Sequence, residues 1–391
     1  MGNFFEINRK KLYSKMENNS CIVLNSGCEK QKSGDENYPF CVNKNFYYLT
    51  GLEKPNIYLV MEKYDNDVCR ERIITPTFKE SAWVTPNYKM NEITKISNVL
   101  EVIYYDELDL QLNQNLKIYT DFKNEHFYSN FPLKNVNDCF EMIARLRAVK
   151  SSYEIRQIKQ AIEITRQGLL NVFSNLSKCN YEYQVQALFE GAIKFNNSQD
   201  LAFATICASG KNACTLHYSK NTDELVSGDL ILLDLGARYG QYSADISRTI
   251  PYNSKFSPMQ KKLYNMVLKG QKIGFKMAKP GVTIYEINNA LIDYYFIELS
   301  KLKLVETKED VKKYYMHNIG HSLGLDTHDE GLFRGEKLVE GNIITMEPGI
   351  YIPEYRIGIR IEDDVLITKD GCKILSKSIP KTISDIEKIL K

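Results

Sequence analysis

The chain has 391 residues, with 51 Lys and Arg against 49 Asp and Glu and a formal net charge of +2. That balance, with lysines spread along the chain, excludes the charge profile of a nucleic-acid or anionic-membrane binder. No apolar run approaches the ~18 residues of a membrane span, and MetGlyAsnPhePheGlu at the N-terminus is not followed by a signal-peptide core.

In chain order, the first ~140 residues alternate short β-rich runs with polar stretches, the pattern of a small α/β domain. The runs are Ser20 to Leu24, Asn56 to Glu62, Glu71 to Ile74, Val99 to Tyr105 and Leu116 to Tyr119. From Val136 to Val149 the pattern turns helical, and a boundary follows near Lys150. Domains of 1–148 and 149–391 are expected. Ser151 and Glu154 form a capping box that opens a long amphipathic helix with apolar Ile155, Ile158, Ile162 and Ile164. Further on, Ser257-Pro258 reads as a helix start, and Thr283 with Glu286 as another capping box after the breaker Pro280-Gly281.

Nine cysteines without a CxxC pair read as reduced thiols of a cytoplasmic protein. Glu6 stands where a myristoylation site needs Ser or Thr.

The chemistry concentrates in the second part. Asp234 and Asp245 lie eleven residues apart, on two predicted strands, Leu230 to Arg238 and Gln241 to Ile250. A turn at Tyr239-Gly240 pairs 238 with 241 and brings Asp234 opposite Asp245 on one face. Two carboxylates that close repel unless a cation or a shared proton lies between them. Glu347 and Glu362 repeat the pattern fifteen residues apart around a turn near Glu354-Tyr355, with Pro348 and Pro353 as possible interruptions. His321, in HisAsnIleGlyHisSerLeuGlyLeu, adds a neutral nitrogen ligand. Four carboxylates and an imidazole carry too much charge for one zinc ion. They suit two divalent ions, and oxygen-rich shells favour the harder metals. Such a pair can hold a bridging hydroxide and polarise a carbonyl, so the implied reaction is metal-assisted hydrolysis. Ser-His-Asp and Cys-His nucleophile arrangements, GxxxxGK[ST] and HExxH are all missing.

The ordered set Asp234, Asp245, His321, Glu347, Glu362 resembles the metal ligands of the pita-bread metallopeptidases, which include methionine aminopeptidase, aminopeptidase P and prolidase. The resemblance spans roughly residues 150–380. It implies an α/β (α+β) protein: a small creatinase-like N-terminal domain, then a pseudo-symmetric pita-bread domain whose curved antiparallel sheet carries two divalent ions. Manganese is the first expectation, with cobalt, zinc or iron as alternatives. Glu362 would bridge the metals, and Glu347 would bind one while handling the proton of the attacking water. His217 in ThrLeuHisTyr would hold the substrate beyond the scissile bond, and His328 in AspThrHisAsp would stabilise the tetrahedral intermediate. His317 matches a further pocket histidine and Arg360 an arginine behind the ligands.

GlyAspGluAsnTyrProPheCysValAsnLysAsnPheTyrTyrLeuThrGlyLeu at 34–52 resembles the N-terminal domain of aminopeptidase P. Its typical pattern there is YPFRQxSDFYYLTG, so Cys41 replaces a common arginine and Asn45 a common aspartate. Should that acid serve the substrate's amino end, affinity or length preference would differ here. The implied activity is removal of the first residue from peptides with proline second. The alternative is prolidase, which cleaves only the Xaa-Pro dipeptide. A non-enzymatic binding module of the same fold would have lost ligands, and creatinase does not share this set. A homodimer or homotetramer is the implied assembly.

Overall fold

Ser20–Asn25 (SerCysIleValLeuAsn) is buried along its whole length, as an interior strand of a covered sheet must be. The computed structural model describes residues 2–83, 86–122, 136–253 and 255–390. The chain divides into two units, Met1–Arg147 and Ala148–Lys391.

In the first unit a mixed six-stranded sheet runs in the order Glu101–Tyr105, Cys69–Pro76, Tyr58–Lys63, Ser20–Asn25, Lys117–Thr120, Asn137–Asp138. The strand expected from Asn56 begins two residues later because Asn56 sits at φ 61, outside the β region. Likewise Asn98, in the left-handed conformation, caps the helix Met90–Ser97 and delays the next strand to Glu101. The segment expected to be helical from Val136 starts instead with the short strand Asn137–Asp138, and its helix covers Phe140–Ala148. The helix Gly2–Tyr13 was not read from the sequence. It is tied down by the fully buried Arg9, which donates to the carbonyls of Leu49 and Ser97 at 2.8 Å and pairs with Glu71.

Asn45, one of the two motif departures, is 3% exposed. Its amide donates to Asp121 Oδ2 at 2.8 Å, and its oxygen accepts from Arg147 Nη1 at 2.8 Å. The side chain is therefore a neutral link inside this unit. An amide can accept from the arginine and donate to the acid at once, which a carboxylate cannot.

The second unit repeats one plan. A helix pair, Ser152–Asn175 and Glu182–Phe195, precedes the antiparallel strands between residues 200 and 251. A second pair, Pro258–Met277 and Ile284–Ser300, precedes those between 343 and 374. The capping boxes at Ser151, Ser257 and Thr283 all form. On the first helix Ile158, Ile162 and Ile164 are buried and Ile155 half-buried, so its apolar stripe faces the core.

The 230–251 hairpin corrects the expected register by two residues. Gly240 (φ 54) and Gln241 (φ 66) are both left-handed, the requirement of a type I′ turn, so they form the loop and Tyr239 pairs with Tyr242. Asp234 is consequently opposite Ser247, not Asp245. A shift of two preserves the face, because side chains alternate with period two, and Asp245 stays on the side of Asp234. In the second hairpin the expected register holds. Met346 pairs with Asp363 and Gly349 with Arg360, which brings Glu347 opposite Glu362 in the gap between the two ladders. Pro348 makes that gap: it has no N–H to give Ile361, whose carbonyl accepts instead from Gln271 Nε2 at 3.1 Å.

Behind the hairpins Arg248 and Asp363, both fully buried, pair at 2.9 Å. Arg248 also donates to the carbonyls of Pro380, Ser247 and Glu362, while Asp363 accepts from Ser376 and Gln271 and pairs with Lys381. Burial pushes the Asp363 carboxyl up, but Arg248 and Lys381 outweigh it and hold it below the usual carboxylate value. This stabilisation is present above the unfolded carboxyl's ~3.9 and is lost as pH falls through the lower folded value. Arg248→Met would leave the Asp363 charge uncompensated on that side, at a cost of ~3–5 kcal/mol. In urea titrations followed by circular dichroism, the transition of the second unit should move to lower denaturant. An unchanged midpoint would show that the pair is dispensable.

Candidate active site

The nine candidate metal, catalytic and substrate residues line one cavity of about 800 Å³ in the second unit: His217, Asp234, Asp245, His317, His321, His328, Glu347, Arg360 and Glu362. The two hairpins supply the floor, and the irregular segment from 317 to 328 supplies one wall. His321 is held there by a backbone contact that only glycine permits. A Cβ on Gly320 would lie 2.1 Å from the carbonyl oxygen of Thr345. The backbone N–H of His321 then donates to Thr345 Oγ1 at 3.0 Å.

The imidazoles have defined roles as donors and acceptors. His321 Nδ1 is 3.0 Å from the carbonyl of Ser322, which can only accept, so Nδ1 carries the proton. Its Nε2 points at Asp245 Oδ2 and Glu347 Oε1, each 3.5 Å away. For the same reason His317 Nδ1–H donates to the carbonyl of Asn318 at 2.7 Å. Arg360 Nη1 donates to the Tyr351 hydroxyl, and that hydroxyl donates to His317 Nε2, both at 2.8 Å. Burial, then the charge of Arg360, lowers the His317 pKa to about 4. Burial and the neighbouring imidazoles of His321 and His217 do the same to His328. Both rings are neutral at physiological pH, and the His328 ring centre lies 4.1 Å from that of His321.

The acids are crowded. Burial and the charges of Asp234, Asp364 and Glu347 push Asp245 well above its ordinary value. Glu362 is pushed up by burial, then by Asp245 and Glu347. Glu347 is raised chiefly by burial, with His321 and Arg360 opposing. Arg360 is the cation among them: it pairs with Asp234 at 2.5 Å and donates to Ser247 Oγ at 2.9 Å, and Ser247 donates on to Glu362 at 2.8 Å.

These residues fit divalent cations. Oxygen and nitrogen atoms of Asp245, His321 and Glu362 lie within 4.8 Å of one another. Donors bound ~2.1 Å from one ion are at most ~4.2 Å apart, so only small adjustments are needed. Asp234 Oδ1 and Asp364 Oδ1 are buried without a hydrogen-bond partner, which is costly for a carboxylate unless a cation takes the lone pair.

Sequence reasoning missed Asp364, Tyr351, Ser247 and Thr345. Asp364 was within reach, since alternation in GluAspAsp puts 362 and 364 on one face and 363 on the other. The other three are ordinary strand residues, and only the packing reveals what they hold.

Residues 156–369 match Metallopeptidase family M24, and residues 5–122 match Aminopeptidase P, N-terminal domain. The chain is 33% identical to the Xaa-Pro aminopeptidase of Haemophilus influenzae over 99% of this chain and 96% of that protein. Among solved structures it resembles aminopeptidase P from E. coli with the inhibitor Pro-Leu, at TM-score 0.91 and 28% identity, covering 100% of this chain and 98% of that one. It also resembles the Zn-substituted E. coli enzyme in complex with product, at TM-score 0.90 and 26% identity over the same shares. With more than half its length matched, and a curated relative aligned from end to end, this chain belongs to metallopeptidase family M24.

Proposed function

We propose that this protein is a metal-dependent exopeptidase that hydrolyses the bond between the first residue of a peptide and a proline in second position. The observation that carries the reading is the convergence of Asp234, Asp245, His321, Glu347 and Glu362 on one cavity beside neutral His317 and His328. The end-to-end relative named Xaa-Pro aminopeptidase supports the substrate class. The apolar wall of Phe203, Ile206 and Leu216 suits a pyrrolidine ring.

Asp234, Asp245, His321, Glu347 and Glu362 would hold two divalent ions, and the oxygen-rich set favours manganese. When bound, these ions supply Lewis acidity, polarising the scissile carbonyl and acidifying water. Glu347 accepts the proton of the attacking water and returns it to the proline nitrogen as the bond breaks. The His328 ring, kept neutral by partial desolvation in the cavity and by the neighbouring imidazoles of His321 and His217, donates an N–H to the developing oxyanion without adding fixed charge. His217 holds the peptide beyond the scissile bond. Arg360 pairs with Asp234 and, through Tyr351, keeps the His317 ring oriented. Nine free thiols favour a reducing, cytoplasmic compartment, and a homodimer or homotetramer is the proposed assembly.

One observation favours the dipeptidase as a second reading. Arg238 lines the cavity with Nη2 3.4 Å from the carbonyl of Ala202, and its buried Nε has no partner. That guanidinium is able to take the free carboxylate of an Xaa-Pro dipeptide.

Release of arginine from Arg-Pro-Pro by the manganese-loaded protein is expected. Cleavage of Ala-Pro alone would make the protein a prolidase. Cleavage of neither, with metal bound, would overturn both readings.

Glu347→Gln should lower kcat at least ~10³-fold and His328→Ala ~10²–10³-fold, with unchanged circular dichroism. Near wild-type turnover in either variant would sink the assignment of that residue.

Because burial and mutual repulsion raise Asp245, Glu362 and Glu347, the metal-free site carries protons that cations must displace. Calorimetric titration with Mn²⁺ near pH 6, in two buffers of different ionisation heat, should show proton release and an affinity that climbs with pH. Identical heats in both buffers would contradict it.

A further inference from the structure

His217 is exposed at the cavity wall, and its ring makes no hydrogen bond to another described residue. Its position is therefore set by the chain on either side. Leu216 and Tyr218, its neighbours, pack against a cluster of Ile206, Ala208, Ala213, Leu232 and Tyr351. That packing holds the segment in place but is non-directional. The directional restraint comes from one acid.

Glu182 is the first residue of the helix Glu182–Phe195 and is fully buried. Its Oε1 accepts from Ser209 N at 2.8 Å, Ser209 Oγ at 2.9 Å and Asn212 Nδ2 at 3.1 Å. Its Oε2 accepts from the Tyr218 hydroxyl at 2.7 Å and from Asp223 N at 3.1 Å. The return bond, Glu182 N–H to the Asp223 carbonyl at 3.0 Å, closes the link in both directions. All the donors come from the segment 209–223, on both sides of His217, and one of them is the residue next to it. An acidic side chain in a first helical turn is also favoured by the helix dipole.

We propose that Glu182 is a positioning residue for His217: its buried carboxylate gathers the segment 209–223 and sets where that imidazole meets the substrate. A carboxylate is required because it accepts at both oxygens, whereas a glutamine would turn an NH₂ toward two or three of these donors. The inference rests on the substrate-holding role given to His217 above.

The test is a double-mutant cycle on the manganese-loaded enzyme with a tripeptide carrying proline second, joined to metal content and circular dichroism. Glu182→Gln should lower kcat/KM about tenfold at full metal content, the loss of charge-assisted hydrogen bonds. His217→Ala should lower it further, and the double variant should be no worse than His217→Ala alone, because Glu182 acts through that ring. Losses that multiply, or an undiminished Glu182→Gln enzyme, would overturn the proposal. Should Glu182→Gln not fold, Tyr218→Phe decides. It removes one hydroxyl, and about a threefold loss that vanishes in the His217→Ala background is expected. Full activity or a multiplying loss in that variant overturns it equally. Full activity in His217→Ala would instead refute the role of His217, and the inference with it.

Discussion

The structure turns on the crowding of carboxylates into one buried space. Asp234, Asp245, Glu347 and Glu362 face the cavity, Asp364 lies buried against the backbone N–H of Asp245, and Arg360 is the cation that pairs with Asp234. Like charges in low dielectric cannot all ionise, so without cations burial and mutual repulsion drive several of them toward the protonated form. Two divalent ions reverse that balance, and the repulsion becomes affinity. Arg360 and the neutral imidazoles are tuned to this arrangement. The guanidinium steadies one acid, and the low pKa of His317 and His328 keeps further positive charge from competing with a metal.

Such a cluster needs a scaffold that bears the strain elsewhere. Strand alternation divides the run GluAspAsp between two tasks. Glu362 and Asp364 turn to the site, while Asp363 turns back to Arg248, Lys381, Ser376 and Gln271. That network is buried and satisfied, so it anchors the strand without adding charge to the cavity. Local breaks serve the same end. Pro348 interrupts the ladder where Glu347 and Glu362 face each other, and a side-chain amide takes the carbonyl that the proline leaves without a donor. The walls follow a similar logic: a tyrosine hydroxyl orients His317, the Ser322 carbonyl orients His321, and Glu182 gathers the chain around His217.

In the first unit, the departure from the family pattern at position 45 has a structural use. Asn45 bridges Asp121 and Arg147 in the interior, and its amide satisfies both partners. A residue type that departs from a pattern is thus explained by its two neighbours, which lie 76 and 102 residues away in sequence.

The sequence alone determined what depends on short-range chemistry. Capping boxes, breakers and apolar periodicity marked the helices that open after Ser151, Ser257 and Thr283, and the rare histidines with paired acids marked the site, because ligand type and strand parity are local properties. It also carried the family likeness in the order of the five ligands. Tertiary structure decided the rest. The hairpin register depended on two left-handed residues, Gly240 and Gln241, and no spacing count distinguishes that turn from one placed a single residue earlier, which shifts the pairing by two. The tautomers of His317 and His321 depend on how the fold turns the next residue's carbonyl toward each ring, and the roles of Ser247 and Asp364 and the hub at Glu182 depend on partners tens to more than a hundred residues away. A hydrogen bond is a statement about two groups within ~3 Å, and one-dimensional order does not contain that distance.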